Sequence, residues 1–141
     1  MKRLAITLVL LLSASGGLFA SYEKALEHFQ QKNYSESLKI LASELVAEND
    51  FKEGSPNFKI RFLAAHIHWK LGNKESTLLH FKRCMDIKKD DVSPYIDMAF
   101  FLTESKRYGD AESTAQSGLK VKQDPMLYYI IGKAALLRGN F

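Results

Sequence analysis

The sequence predicts an all-α protein: a stack of antiparallel helix pairs, three of them complete, followed by one further helix. Three observations carry this. A helix-pair pattern recurs about every 34 residues, with copies entering at Ala25, Ala65, Ala99 and Gly132. The turn inside each copy falls at Lys32, Gly72, Lys106 and Gly139, at successive spacings of 40, 34 and 33 residues. Apolar residues return at three- and four-residue steps, and no stretch alternates with the two-residue period of a strand. Such a repeat decides the architecture, because each hairpin buries its apolar face only against its neighbours.

Taken in order, Tyr22, Leu26 and Phe29, with small Ala25, mark one face of a helix from Ser21 to Gln31. Lys32-Asn33 interrupts it, and Leu38, Leu41 and Leu45 resume the period from Tyr34 to about Ala47. The polar run from Glu48 to Asn57, with Gly54 and Pro56, reads as a loop that lengthens the first spacing. Phe58 to Leu71 is the next helix, and Gly72-Asn73 stops it, since glycine tolerates the left-handed turn that ends helices. Lys74 to Lys88 is its partner. Val92-Ser93-Pro94 opens a third pair, with Ser93 as the cap and Pro94 in the first turn, where its missing N–H costs nothing. Tyr108 to Val121 returns along it. Asp124-Pro125 opens a last helix from Met126 to Arg138, ended by Gly139-Asn140.

The first 20 residues stand apart from this pattern. A basic start, Met1-Lys-Arg3, precedes an apolar run from Leu4 to Leu12 and the small residues Ser13 to Gly17. This is the layout of a signal peptide, too short in its apolar part to span a membrane comfortably. Cleavage is expected after Ala20, or after Gly16 because Leu18 is large for its position; an uncleaved anchor is the alternative. The expected location is therefore outside the cytoplasm, periplasmic or secreted. Of the formal charge of +4, Lys2 and Arg3 supply two units, which leaves +2 for residues 21–141. The remaining charges alternate in sign, as in Glu23-Lys24 and Lys74-Glu75, and read as solvated faces. The densest basic stretch, Lys88-Lys89, runs straight into Asp90-Asp91, which argues against a nucleic-acid partner. The single cysteine, Cys84, has no partner for an internal disulfide, and its helical position fits a buried small hydrophobe.

The repeat residues resemble tetratricopeptide repeats. That motif wants a bulky residue, an apolar-small pair and an aromatic in its first helix, and an alanine and an aromatic in its second. Tyr128, Ile131-Gly132 and Ala135 match the first half. The third copy offers Tyr95, Met98-Ala99 and Leu102, then Tyr108 and Ala111, with Pro125 closing the unit. The second offers Ala64-Ala65, His68, Gly72-Asn73 and Phe81, and the first Ala25, His28, Tyr34 and Leu41. Arg61 stands where tryptophan is common, Ser37 and Thr77 replace the second helix's alanine, and Gly118 weakens the third copy. The resemblance covers nearly all of residues 21–141, with repeats at about 21–47, 58–89, 92–123 and, in part, 125–141. It implies a right-handed solenoid; armadillo-like or other helical hairpins, with longer units, are the alternative.

The resemblance also implies a function. In that family the first helices of successive pairs line a concave groove that holds a peptide or a partner's helix. That face maps onto Tyr22, Leu26 and Phe29, then Lys59, Phe62, His66, Trp69 and Lys70, then Ile96, Phe100 and Thr103. Aromatic residues supply most binding energy at interfaces, which makes Trp69 the leading anchor. The competing reading is that these aromatics pack between neighbouring helices. A carboxylate-clamping subset of the family is not matched, since Leu26, Leu63 and Phe100 occupy that surface. Catalysis is not expected: there is no Ser-His-Asp set, phosphate loop or paired acidic motif. His66 and His68 point about 200° apart on a helix, so no metal or cofactor is expected either. The expected role is thus a non-catalytic interaction module, an adaptor or assembly scaffold. Met126-Leu-Tyr-Tyr-Ile-Ile-Gly-Lys-Ala-Ala-Leu-Leu137 is apolar on nearly every side. Its alternatives are a seam for homo-oligomers or a fragment of a longer repeat protein.

Overall fold

The computed structural model describes residues 20–45, 53 and 55–139. The N-terminal residues 1–19, most of the expected loop before Asn57, and Asn140-Phe141 lie outside the described residues. Among those described there are seven helices and no strand: α1 (20–30), α2 (Tyr34–Ala42), α3 (Phe58–Leu71), α4 (Lys74–Ile87), α5 (Ser93–Glu104), α6 (Tyr108–Val121) and α7 (Pro125–Arg138). Consecutive helices from α2 onward pack on one another, and α5 also touches α7.

The four expected turns share one geometry. Lys32, Gly72, Lys106 and Gly139 sit at φ of 62, 80, 61 and 83°, and they are the left-handed residues among those described. After each of the first three, the next amide donates back across the turn. Asn33 reaches the His28 carbonyl at 2.8 Å, Asn73 reaches His68 at 2.9 Å, and Arg107 reaches Leu102 at 2.8 Å. These bonds satisfy carbonyls that the helix end would otherwise leave open.

Packing repeats in the same register. Seven residues before each turn, Ala25, Ala65 and Ala99 are wholly buried; five residues after it, so are Ser37, Thr77 and Ala111. The two hydroxyls that replace alanine bond to backbone instead. Ser37 Oγ donates to the Ala25 carbonyl across the hairpin at 2.6 Å, and Thr77 Oγ1 to the Asn73 carbonyl at 2.8 Å. A buried hydroxyl so satisfied carries little cost.

Two expectations are corrected. The second helix ends at Ala42, not near Ala47, because Glu44 and Leu45 bond three residues back and tighten the chain. Leu45 then offers its carbonyl to Arg61 Nη2 at 3.4 Å. Ser93 is the first residue of α5 rather than its side-chain cap; its own amide donates to Asp91 Oδ1 at 2.9 Å. Gly118, a departure from the repeat motif, is a close-approach point: a Cβ there would lie 2.8 Å from Tyr95 Cβ and 3.0 Å from Leu127 Cδ1. The absence of a side chain lets α6 seat against both neighbours.

Candidate binding cleft

An aromatic row runs along one face of α3. Phe58, Phe62, His66 and Trp69 follow at helical spacing, and each ring meets the next. The centroids stand 5.7 Å apart for Phe58–Phe62, 5.0 Å for Phe62–His66 and 5.7 Å for His66–Trp69. Phe81, fully buried on α4, backs the row with edge contacts to Phe62, His66 and Trp69. The α3 row is therefore half-exposed but firmly seated.

On the α1 side the row opens. Tyr22, Leu26 and Phe29 face Phe58, Lys59, Phe62, Leu63 and His66 across a cleft of about 300 Å³. Its walls are almost wholly apolar. Lys59, exposed, is the lysine among its lining residues, and its ammonium lies 5.8 Å from the Tyr22 ring centre. Burial, and then the neighbouring Glu23, push the Tyr22 phenol above its ordinary value, so it stays a neutral hydrogen-bonding group at physiological pH.

On the α5 side the same row is closed. His66 Nε2 donates to Asp97 Oδ2 at 2.9 Å, and Trp69 Nε1 donates to Glu104 Oε2 at 3.0 Å. The Trp69 ring also meets Phe101 edge-on, with centroids 5.4 Å apart. The expected groove face thus divides. Tyr22, Phe29, Lys59, Phe62 and His66 line the cleft together with Leu26. Trp69 packs partly buried between α3 and α5, and Lys70 is exposed beside it. Ile96 and Phe100 pack on the α5–α7 cluster, Phe100 against Tyr129, and Thr103 is buried with its hydroxyl on the Ala99 carbonyl. Phe58 was missed by the sequence reading, although its spacing to Phe62 and His66 places all three on one helical stripe.

Behind the row lies a polar pocket of the core. Arg61, nearly buried, holds Nη1 3.1 Å from His80 Nδ1. A guanidinium only donates, so His80 Nδ1 accepts and the ring is neutral with its proton on Nε2. Desolvation first, then the charge of Arg61, lower the His80 pKa to about 4. His68 stacks on His80 at 5.2 Å and is itself lowered by burial. Burial drives the Cys84 thiol up to about 12, which makes it an inert small hydrophobe. His66 and His68 face different partners, and among the described residues no group of three or more His, Cys, Asp or Glu could hold a metal ion. No protein-family model matches the chain, and no curated protein matches it.

Proposed function

We propose that the chain is a non-catalytic peptide-binding module, a stack of tetratricopeptide-like hairpins whose open end between α1 and α3 is the binding cleft. The observation that carries the reading is the gathering of Tyr22, Leu26, Phe29, Lys59, Phe62 and His66 around one apolar cleft of about 300 Å³. The four left-handed turns and the buried alanines in matching register support the repeat family. A volume of that size accommodates one or two large apolar side chains, and the lysine at its edge favours an acidic residue beside them. The occupant is accordingly a short amphipathic segment with apolar anchors and an Asp or Glu within reach of Lys59. The basic start and apolar run of residues 1–12 support an exported protein, acting as an adaptor or scaffold in the periplasm or outside the cell.

Selection of random peptides on the immobilised full chain tests this. Recovered peptides should share an apolar anchor pair followed or preceded by Asp or Glu. Their affinity should fall about tenfold on the Lys59→Glu protein, the scale of one lost charge-assisted contact. Peptides with no shared pattern, or binding indifferent to Lys59→Glu, would refute the cleft reading.

A further inference from the structure

The two ends of the α1–α3 cleft differ in charge. At one end stands Lys59, exposed, its ammonium 5.8 Å from the Tyr22 ring centre. At the other stands His66, two helical turns further along α3, so roughly 10 Å separates the ends. The His66 ring is fixed between Phe62 and Trp69, with Phe81 at its edge, and it fixes in turn a carboxylate from α5. Asp97 Oδ2 accepts the bond from His66 Nε2 at 2.9 Å.

Asp97 is held but not neutralised. Its side chain is 30% exposed, and among the described residues no lysine or arginine pairs with it. Its second oxygen, Oδ1, is bonded to no described residue. A neutral imidazole lends one N–H and leaves the charge of a carboxylate in place. Glu104, two turns further along α5, accepts the Trp69 N–H and adds a second negative charge on that side. Lys70, exposed beside Trp69, is paired with neither.

An occupant of the cleft displaces water from both ends. A carboxylate that loses its water to an uncharged side chain is left with too few partners, which is costly. A cation set against it recovers that loss, and apolar walls strengthen the attraction. We propose that the cleft takes a dipolar segment, with an acidic residue at Lys59, apolar anchors between, and a lysine or arginine on Asp97. Asp97 is then a specificity-determining residue, and His66 is the residue that positions it. The inference rests on the cleft reading above and adds the ligand's second charge. Charge at both ends also sets the register, because a segment with its charges exchanged would oppose like to like at each end. The two charges lie about three residues apart in an extended segment and about seven in a helical one.

A random-peptide display library panned on the immobilised full chain at pH 8, above the ordinary imidazole value of about 6.5, tests this. Recovered peptides should carry Lys or Arg on the side of the anchors opposite their Asp or Glu. On Asp97→Asn, which keeps an oxygen for His66, the basic preference should vanish while the anchors and the acid remain. The strongest recovered peptide is then compared with a form carrying methionine in place of its basic residue. That exchange should weaken binding to the wild type about fivefold, the upper scale of a partly exposed ion pair, and hardly at all to Asp97→Asn. Peptides whose acid answers to Lys59→Glu but which show no basic preference would overturn this inference and leave the cleft reading standing. An equal loss on wild type and Asp97→Asn would do the same. Peptides indifferent to Lys59→Glu would remove the cleft reading, and this inference with it. The methionine exchange on wild type needs no protein variant, so the absence of a loss there is decisive even if Asp97→Asn fails to fold.

Discussion

At the scale of single residues, the Arg61–His80 contact is the most consequential. Burial first, and then the guanidinium 3.1 Å from Nδ1, disfavour the charged ring and lower the His80 pKa to about 4 from an ordinary 6.5. The unfolded chain therefore binds a proton at a pH where the folded chain does not, and stability rises with pH across that interval. The contribution is complete above about pH 6.5 and is lost progressively as pH falls toward 4. His68, lowered by burial, acts in the same direction. Urea midpoints at pH 7 and pH 5 should show the wild type losing stability. His80→Gln, which keeps an acceptor for Arg61 without a titrating ring, should lose clearly less. An equal loss in both proteins would mean that His80 does not carry the effect. Trp69 illustrates the same scale differently: its indole N–H is satisfied by Glu104 and its ring by Phe101, so much of its surface serves the α3–α5 joint.

At the scale of helices, close approach decides where elements seat. Gly118 admits Tyr95 from α5 and Leu127 from α7 to a distance that a methyl group would violate. Gly118→Ala should destabilise the fold by about 1–3 kcal/mol, the usual cost of overpacking, despite alanine's better helix propensity. A denaturant midpoint unchanged or raised would show that the two neighbours yield freely. This residue also marks a limit of sequence reading. Propensity alone classes a mid-helix glycine as a defect, and only the partner's position reveals it as a contact. Helix limits were legible where a left-handed glycine or a proline punctuates the chain, as at Gly72 and Pro125. They were not legible at Ala42, where the leucine spacing continues to Leu45 past a helix that has already tightened into three-residue bonds at Glu44 and Leu45. The cleft was legible as a helical stripe, Tyr22–Leu26–Phe29 and Phe62–His66. Its division at Trp69 was not, because it depends on Asp97 and Glu104 of a helix more than thirty residues away.

At the scale of the whole molecule, one hairpin geometry is laid down repeatedly and its two ends differ. The α1–α3 end leaves an apolar cleft edged by Lys59; the α7 end leaves Tyr128, Tyr129, Leu136 and Leu137 exposed. The interior between them is joined by His66–Asp97 and Trp69–Glu104. The central claim is that the first end binds a peptide. Its most direct test is a titration of the isotope-labelled chain with a selected acidic, apolar-anchored peptide, followed residue by residue by nuclear magnetic resonance. Binding in the cleft predicts saturable shifts concentrated at Tyr22, Leu26, Phe29, Lys59, Phe62 and His66, with Tyr128 and Leu136 unmoved. Shifts centred on α7 with the cleft silent, or none at saturating peptide, would contradict it.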